Sequence, residues 1–349
     1  MCRHLGYLGP PVPVGDILTR GTHSLRAQSW APREMRGGGT INADGFGVAW
    51  WVPVAVPADA VRDPGARDRR GELSGTNGAT HTTGRTGVMA SRYRNPAPIW
   101  TDPAVEEVLP QLRSTAVLGA VRSATVGMPV ERTACAPFTH GRWAFSHNGV
   151  VPDWKRVLTD VAAEFGTPTL LDAESATDSA VLWEILRGLL ESPGLPTDSG
   201  DVVESDVGPA RWSQPTWAQR KTDDSASSAT AAWRSSSSSA VDDVALTPEA
   251  LVRQADPATA LRLLARAVLT RAPRARLNLL LGDGETLWAT IVYHSLSVLV
   301  TDDVAVVASE PYDDDPRWQA IADRQLVTAR PGHLAVDSLQ SDESERARS

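Results

Sequence analysis

Apolar residues fall into two kinds of run along this chain. Residues 45–54 (GFGVAWWVPV), 115–122 (TAVLGAVR) and 141–146 (GRWAFS) are unbroken apolar, β-branched or aromatic stretches bounded by turn formers. Such runs predict buried strands. Elsewhere the spacing is helical. Val157, Leu158, Val161, Ala162 and Phe165 define one face of a helix over 154–165. Val181, Leu182, Ile185, Leu186, Leu189 and Leu190 define a second helix, which Thr177 can cap. A third is expected over 248–270, with Asp256-Pro257 as a break point. Four closely spaced strands then follow at 277–281, 287–293, 297–301 and 304–308, with a hairpin signal at Asp283-Gly284. Strands first, helices mid-chain and an antiparallel run of strands last predict an α+β fold.

The pattern stops in residues 196–247. That stretch has 11 Ser, eight acidic and four basic residues, and its apolar positions show no period. It cannot bury enough surface to offset its ordering entropy, so a disordered insert is expected. A shorter irregular stretch is expected at 63–86. Composition narrows the function. The chain has 349 residues, 42% hydrophobic, so it holds enough material for a real core. A net charge of −8 argues against a nucleic-acid partner, whose binding rests on phosphate neutralisation. No apolar run approaches the ~18 residues of a spanning helix, so no membrane partner is expected. The start lacks a secretory h-region, and two cysteines fit a reducing compartment; both point to the cytoplasm. The seven histidines show no ligand spacing, so no metal is expected.

Cys2 is the sharpest chemical feature. Removal of Met1 would leave a thiol beside a free α-amine, whose pKa of about 7.7–8.0 suits a general base. One residue would then supply nucleophile and base. Asn148-Gly149 places a side-chain amide next to a flexible backbone N–H, a two-donor oxyanion hole or an ordinary hairpin. Arg122 ends an apolar run and needs a carboxylate, from a substrate or from a structural ion pair. Asp178, at a helix start, would hold an ammonium or complement the helix dipole.

These residues stand in a recognisable order. Met1-Cys2-Arg3, Arg36-Gly37-Gly38-Gly39-Thr40, Asp44-Gly45-Phe46-Gly47, Arg122-Ser123-Ala124-Thr125, Pro137-Phe138, His147-Asn148-Gly149 and Thr177-Asp178-Ser179 follow one another along the chain. In this the chain resembles the class II glutamine amidotransferase family of N-terminal nucleophile hydrolases. The resemblance covers about residues 2–195 and 248–332. It is closer still to the branch of γ-glutamyl hydrolases of ergothioneine biosynthesis, through MCRHLGYLGPPV, APFTHGRWAFSHNG and residues 309–318. The resemblance implies a four-layer αββα sandwich with antiparallel sheets, one domain over 2–332 interrupted at 196–247, and a flexible tail at 333–349. It implies hydrolysis of the γ-glutamyl amide of γ-glutamyl-hercynylcysteine S-oxide, a small-molecule substrate, with no cofactor. Cys2 would be the nucleophile, Asn148 and Gly149 the oxyanion hole, Arg122 the holder of the glutamyl α-carboxylate and Asp178 of its α-ammonium. The rival readings are a glutaminase subunit feeding ammonia to a separate synthase, and a non-catalytic regulatory protein of the same fold. Two positions depart from the family pattern: Ala134 stands near a usual Asn, and Ala180 at a usual Glu. A trimethylammonium on the leaving group would suit an aromatic face, for which Trp30, Trp50, Trp51, Trp100 and Trp143 are candidates.

Overall fold

The computed structural model describes residues 2–34, 36, 41–55, 86–167, 170–191 and 256–340. In chain order the elements are β1 (Arg3–Pro13), α1 (Val14–Thr19), α2 (Leu25–Gln28), β2 (Phe46–Ala55), β3 (Thr86–Asn95), α3 (Ala104–Glu107), β4 (Arg113–Val121), β5 (Phe138–His140), β6 (Trp143–Val150), α4 (Trp154–Glu164), α5 (Asp178–Glu191) and α6 (Pro257–Arg271). Then come β7 (Arg276–Gly282), β8 (Leu287–Ile291), β9 (Ser297–Val300), β10 (Ala305–Ala308), β11 (Gln319–Ala320), β12 (Gln325–Arg330) and β13 (His333–Ser338).

The strands form two antiparallel sheets. One runs β11-β9-β10-β1-β4-β2-β3, the other β13-β12-β8-β7-β6-β5. Alternation along the strands separates two cores, because successive side chains leave a strand on opposite faces. Leu5, Tyr7, Val117 and Val306 point outward from the first sheet, onto Val14, Leu18 and Leu25 of α1 and α2. Leu8, Leu118 and Val307 point inward, onto Leu280, Ala289 and Val327 of the second sheet. The outer face of the second sheet packs on α4–α6, with Phe145 stacked on Trp183 at 5.6 Å. The layers are therefore helix, sheet, sheet, helix, the four-layer arrangement that the resemblance implies. No helix among the described residues is long and apolar enough to cross a membrane.

Most predicted elements are present. Thr177 caps α5 by accepting the Ala180 N–H at 3.2 Å. Gly284 turns the β7–β8 hairpin at φ +92°, a conformation that favours glycine. One boundary needs correction. The chain does not become a tail at residue 333, because β13 pairs with β12 from His333 to Ser338 and Leu339 is buried. The expected insert at 196–247, residues 63–85 of the irregular stretch and residues 341–349 lie outside the described residues.

Candidate active site

Antiparallel pairing brings chemically useful strand ends to one edge of the molecule. Cys2 precedes β1, the strand between β4 and β10 in the first sheet. Arg122 and Ser123 follow β4, and Ser309 follows β10. In the facing sheet, Asn148 and Gly149 lie at the end of β6, directly opposite Asn278 and Leu277 of β7. Cys2 and Arg122 line a single cleft with Ser146, His147 and Ser179.

Cys2 is half-buried, and its thiol lies 3.8 Å from the Ser123 carbonyl oxygen. Arg122 is buried. Its backbone is clamped by Gly45 and Asp44, and its Nη1 reaches only the Asp44 carbonyl oxygen, at 3.5 Å. No carboxylate among the described residues forms an ion pair with it. A groove of about 870 Å³ opens between Thr125–Glu131 and Val150–Lys155. Glu131 faces this groove with its pKa lowered, first by the Ser175 hydroxyl at 2.7 Å and less by the charge of Arg122.

Asn148 is fully buried on β6. Its Nδ2 donates to the Ser309 hydroxyl at 3.4 Å, and that oxygen also accepts the His4 N–H at 3.0 Å. Ser309 thus ties Asn148 to the strand that carries Cys2. The Asn148 Oδ1 has no hydrogen-bond partner. Gly149 fits where no other residue would: a Cβ there would lie 1.8 Å from the Arg276 carbonyl oxygen. His147 Nε2 is 2.9 Å from that same oxygen, which can only accept, so the proton sits on Nε2. Nδ1 lies 3.0 Å from the Ser179 hydroxyl. The ring is a brace between β6, β7 and α5.

Asp178 does not line the cleft. One carboxylate oxygen accepts the Val151 N–H at 2.9 Å and the other the Ser179 N–H at 2.8 Å. It therefore fixes the chain just past Gly149, and a carboxylate's remaining lone pairs stay open. No local pattern marks Ser309 as a link, because its partners stand 161 and 305 residues away. None of the five tryptophans offered as candidates for the leaving-group side lines the cleft with Cys2. Trp30 and Trp100 pack edge to face at 5.6 Å, Trp50 covers the outer core, Trp51 is buried between the sheets and Trp143 pairs with Trp288. Cys135 is a buried filler, its thiol pushed up to about 11 first by burial.

Behind the site lie two buried histidines. Burial, more than the neighbouring cations, pushes His4 and His294 down to about 3. Unfolded, both rings would protonate below about pH 6.5. Stability from these neutral rings is therefore full above pH 6.5 and lost as pH falls toward 3, by up to roughly 2–3 kcal/mol per pH unit for the pair. The urea midpoint is expected to be clearly lower at pH 5 than at pH 7.5, and His294→Gln to reduce that difference. Equal midpoints for the wild type would contradict this account.

A solved glutamine phosphoribosylpyrophosphate amidotransferase from B. subtilis shares this fold, at TM-score 0.50 and 10% identity, over 98% of this chain and 50% of that one. At that identity the likeness is one of architecture alone, the helix–sheet–sheet–helix sandwich described above. No family model matches the chain. Curated relatives do. The γ-glutamyl-hercynylcysteine sulfoxide hydrolase of Mycolicibacterium smegmatis is 32% identical over 97% of this chain and 100% of its own length. That of Mycobacterium tuberculosis is 31% identical over 97% of each chain. The chain belongs to this family of hydrolases.

Proposed function

We propose that this enzyme hydrolyses the γ-glutamyl amide of γ-glutamyl-hercynylcysteine sulfoxide, releasing glutamate and hercynylcysteine sulfoxide. The observation that carries the reading is Arg122: a buried guanidinium without a carboxylate among the described residues, lining one cleft with a thiol. A γ-glutamyl group offers that arginine its α-carboxylate and the thiol its acyl carbon. The family relationship supplies the rest of the substrate.

With Met1 removed, the Cys2 α-amine takes the thiol proton. The thiolate attacks the γ-carbonyl carbon, and the oxyanion sits between the Asn148 amide and the Gly149 N–H. Collapse breaks the C–N bond, and the ammonium of Cys2 gives its proton to the departing amine. Water, deprotonated by the same α-amine, then cleaves the thioester to free glutamate. Arg122 grips the α-carboxylate throughout, and the α-ammonium reaches the open lone pairs of Asp178 past its cleft-lining neighbour Ser179. Two unpaired cysteines, one of them reactive, suit the reducing cytoplasm.

The test is glutamate release by the mature chain from the sulfoxide and from glutamine. The sulfoxide is expected to react faster, by kcat/KM, by at least about tenfold, since only it fills a leaving-group site. Rapid glutamine cleavage with the sulfoxide left intact would overturn the reading in favour of an ammonia-supplying subunit.

A further inference from the structure

Across the first sheet the order is β4, β1, β10, so Arg122 and Ser309 flank Cys2 on opposite sides. The facing sheet runs in the same sense: β3 meets β5 and β6, while β10 meets β12. Moving away from Arg122 across β6, β7 and β8 therefore leads to the start of β7 and the turn after β8. If the glutamyl head lies on the Arg122 side of the thiol, the departing amine lies on this other side.

An unusual cluster stands there. Tyr293 has φ +84°, a left-handed conformation that a bulky side chain rarely adopts. It is held by its N–H, which donates to Asp323 at 2.7 Å, and by the neighbouring His294 N–H, which donates to the buried Asn278 Oδ1 at 3.2 Å. The ring is left 39% exposed, and the Arg276 guanidinium lies over it at 4.5 Å. Arg276 is half-buried and forms no ion pair with a carboxylate among the described residues. A second cation, Arg36, donates to the Tyr293 carbonyl oxygen at 2.7 Å. His294 is buried edge-on to Tyr293, with neither ring nitrogen partnered. Arg276 is also joined to the reaction centre, because its carbonyl oxygen anchors His147, one residue before Asn148. A strained tyrosine thus serves as a platform that pre-orients an arginine fork, the geometry suited to a planar carboxylate.

We propose that Arg276, stacked on Tyr293, binds the α-carboxylate of the amine that leaves the γ-glutamyl group. This rests on the functional reading above. In a γ-glutamyl amino acid the scissile nitrogen is the α-nitrogen of the departing amino acid, so its carboxylate lies one carbon beyond that nitrogen. Glutamine releases ammonia and carries no such group. The subsite thus selects γ-glutamyl amides of amino acids over glutamine itself.

The test compares γ-glutamylalanine with γ-glutamylethylamide, which differ only by that carboxylate. For the mature wild type the ratio of their kcat/KM values is expected to be about 30 or more, in favour of γ-glutamylalanine and expressed in KM, as for a buried charge-assisted pair. In Arg276→Ala the ratio falls toward one, and in Arg276→Lys it is intermediate. Should Arg276→Ala fail to fold, Arg276→Gln gives the same readout. A wild-type ratio near one, or a ratio unchanged in the variants, overturns the subsite alone. Hydrolysis of neither amide nor the sulfoxide by the wild type overturns the functional reading, and the subsite with it.

Discussion

Replacing Cys2 with alanine is expected to lower glutamate release from the sulfoxide by at least about a thousandfold. Covalent catalysis splits amide hydrolysis into two easier steps, and without the thiol neither step has a route. What remains is binding and the oxyanion hole, which alone leave only a small fraction of the rate. The loss would be one of chemistry and not of folding. The thiol's contact with the Ser123 carbonyl oxygen is a long one, 3.8 Å, so the melting temperature should hardly move. Cys2→Ser tests the nucleophile more finely, since a hydroxyl is far less ionised than a thiol near neutral pH. A chain that keeps Met1 should be equally inert, because its Cys2 nitrogen is an amide and cannot accept a proton. Wild-type turnover by Cys2→Ala would remove Cys2 from the mechanism.

Asn148→Ala is expected to reduce kcat by about 10²–10³-fold, with KM little changed. The oxyanion exists only in the transition state, so a donor aimed at it contributes to kcat and not to ground-state binding. Stability should fall only slightly. The substitution removes a weak 3.4 Å bond, and Ser309 keeps its tie to the His4 N–H. It also removes the unpartnered Oδ1. A rise in KM with kcat intact would place Asn148 in substrate binding instead. Burst kinetics with the sulfoxide would show which of the two chemical steps slows.

Most of the secondary structure was legible because its signals are local. β2, β4 and the face of α4 follow from periodicity, and α5 from its cap. β1 was not legible. It carries Gly6, Gly9, Pro10, Pro11 and Pro13, residues that weaken a strand signal, yet β4 and β10 on its two sides make it a strand. β13 was missed for a similar reason, since its polar exposed face hides a partner in β12. At the site, Cys2, Arg122 and Asn148 stood out because their chemistry is unusual for their surroundings. Ser309, Arg276 and Tyr293 did not. A serine after a strand, or an arginine beside a tyrosine, has no signature until distant segments meet. The tryptophans misled for the opposite reason: they suited a cationic ligand, but packing had the stronger claim on them.

The central position of β1 governs when this catalyst comes into being. β1 cannot gain its second neighbour in the sheet, or His4 its bond to Ser309, until β10 has been made some 300 residues later. Until the sheets assemble, Cys2 lacks the cleft it shares with Arg122, and a thiol left in the open is a ready target for oxidation. If Cys2 is the nucleophile, the interval before β1 is fully paired is when the enzyme has most to lose.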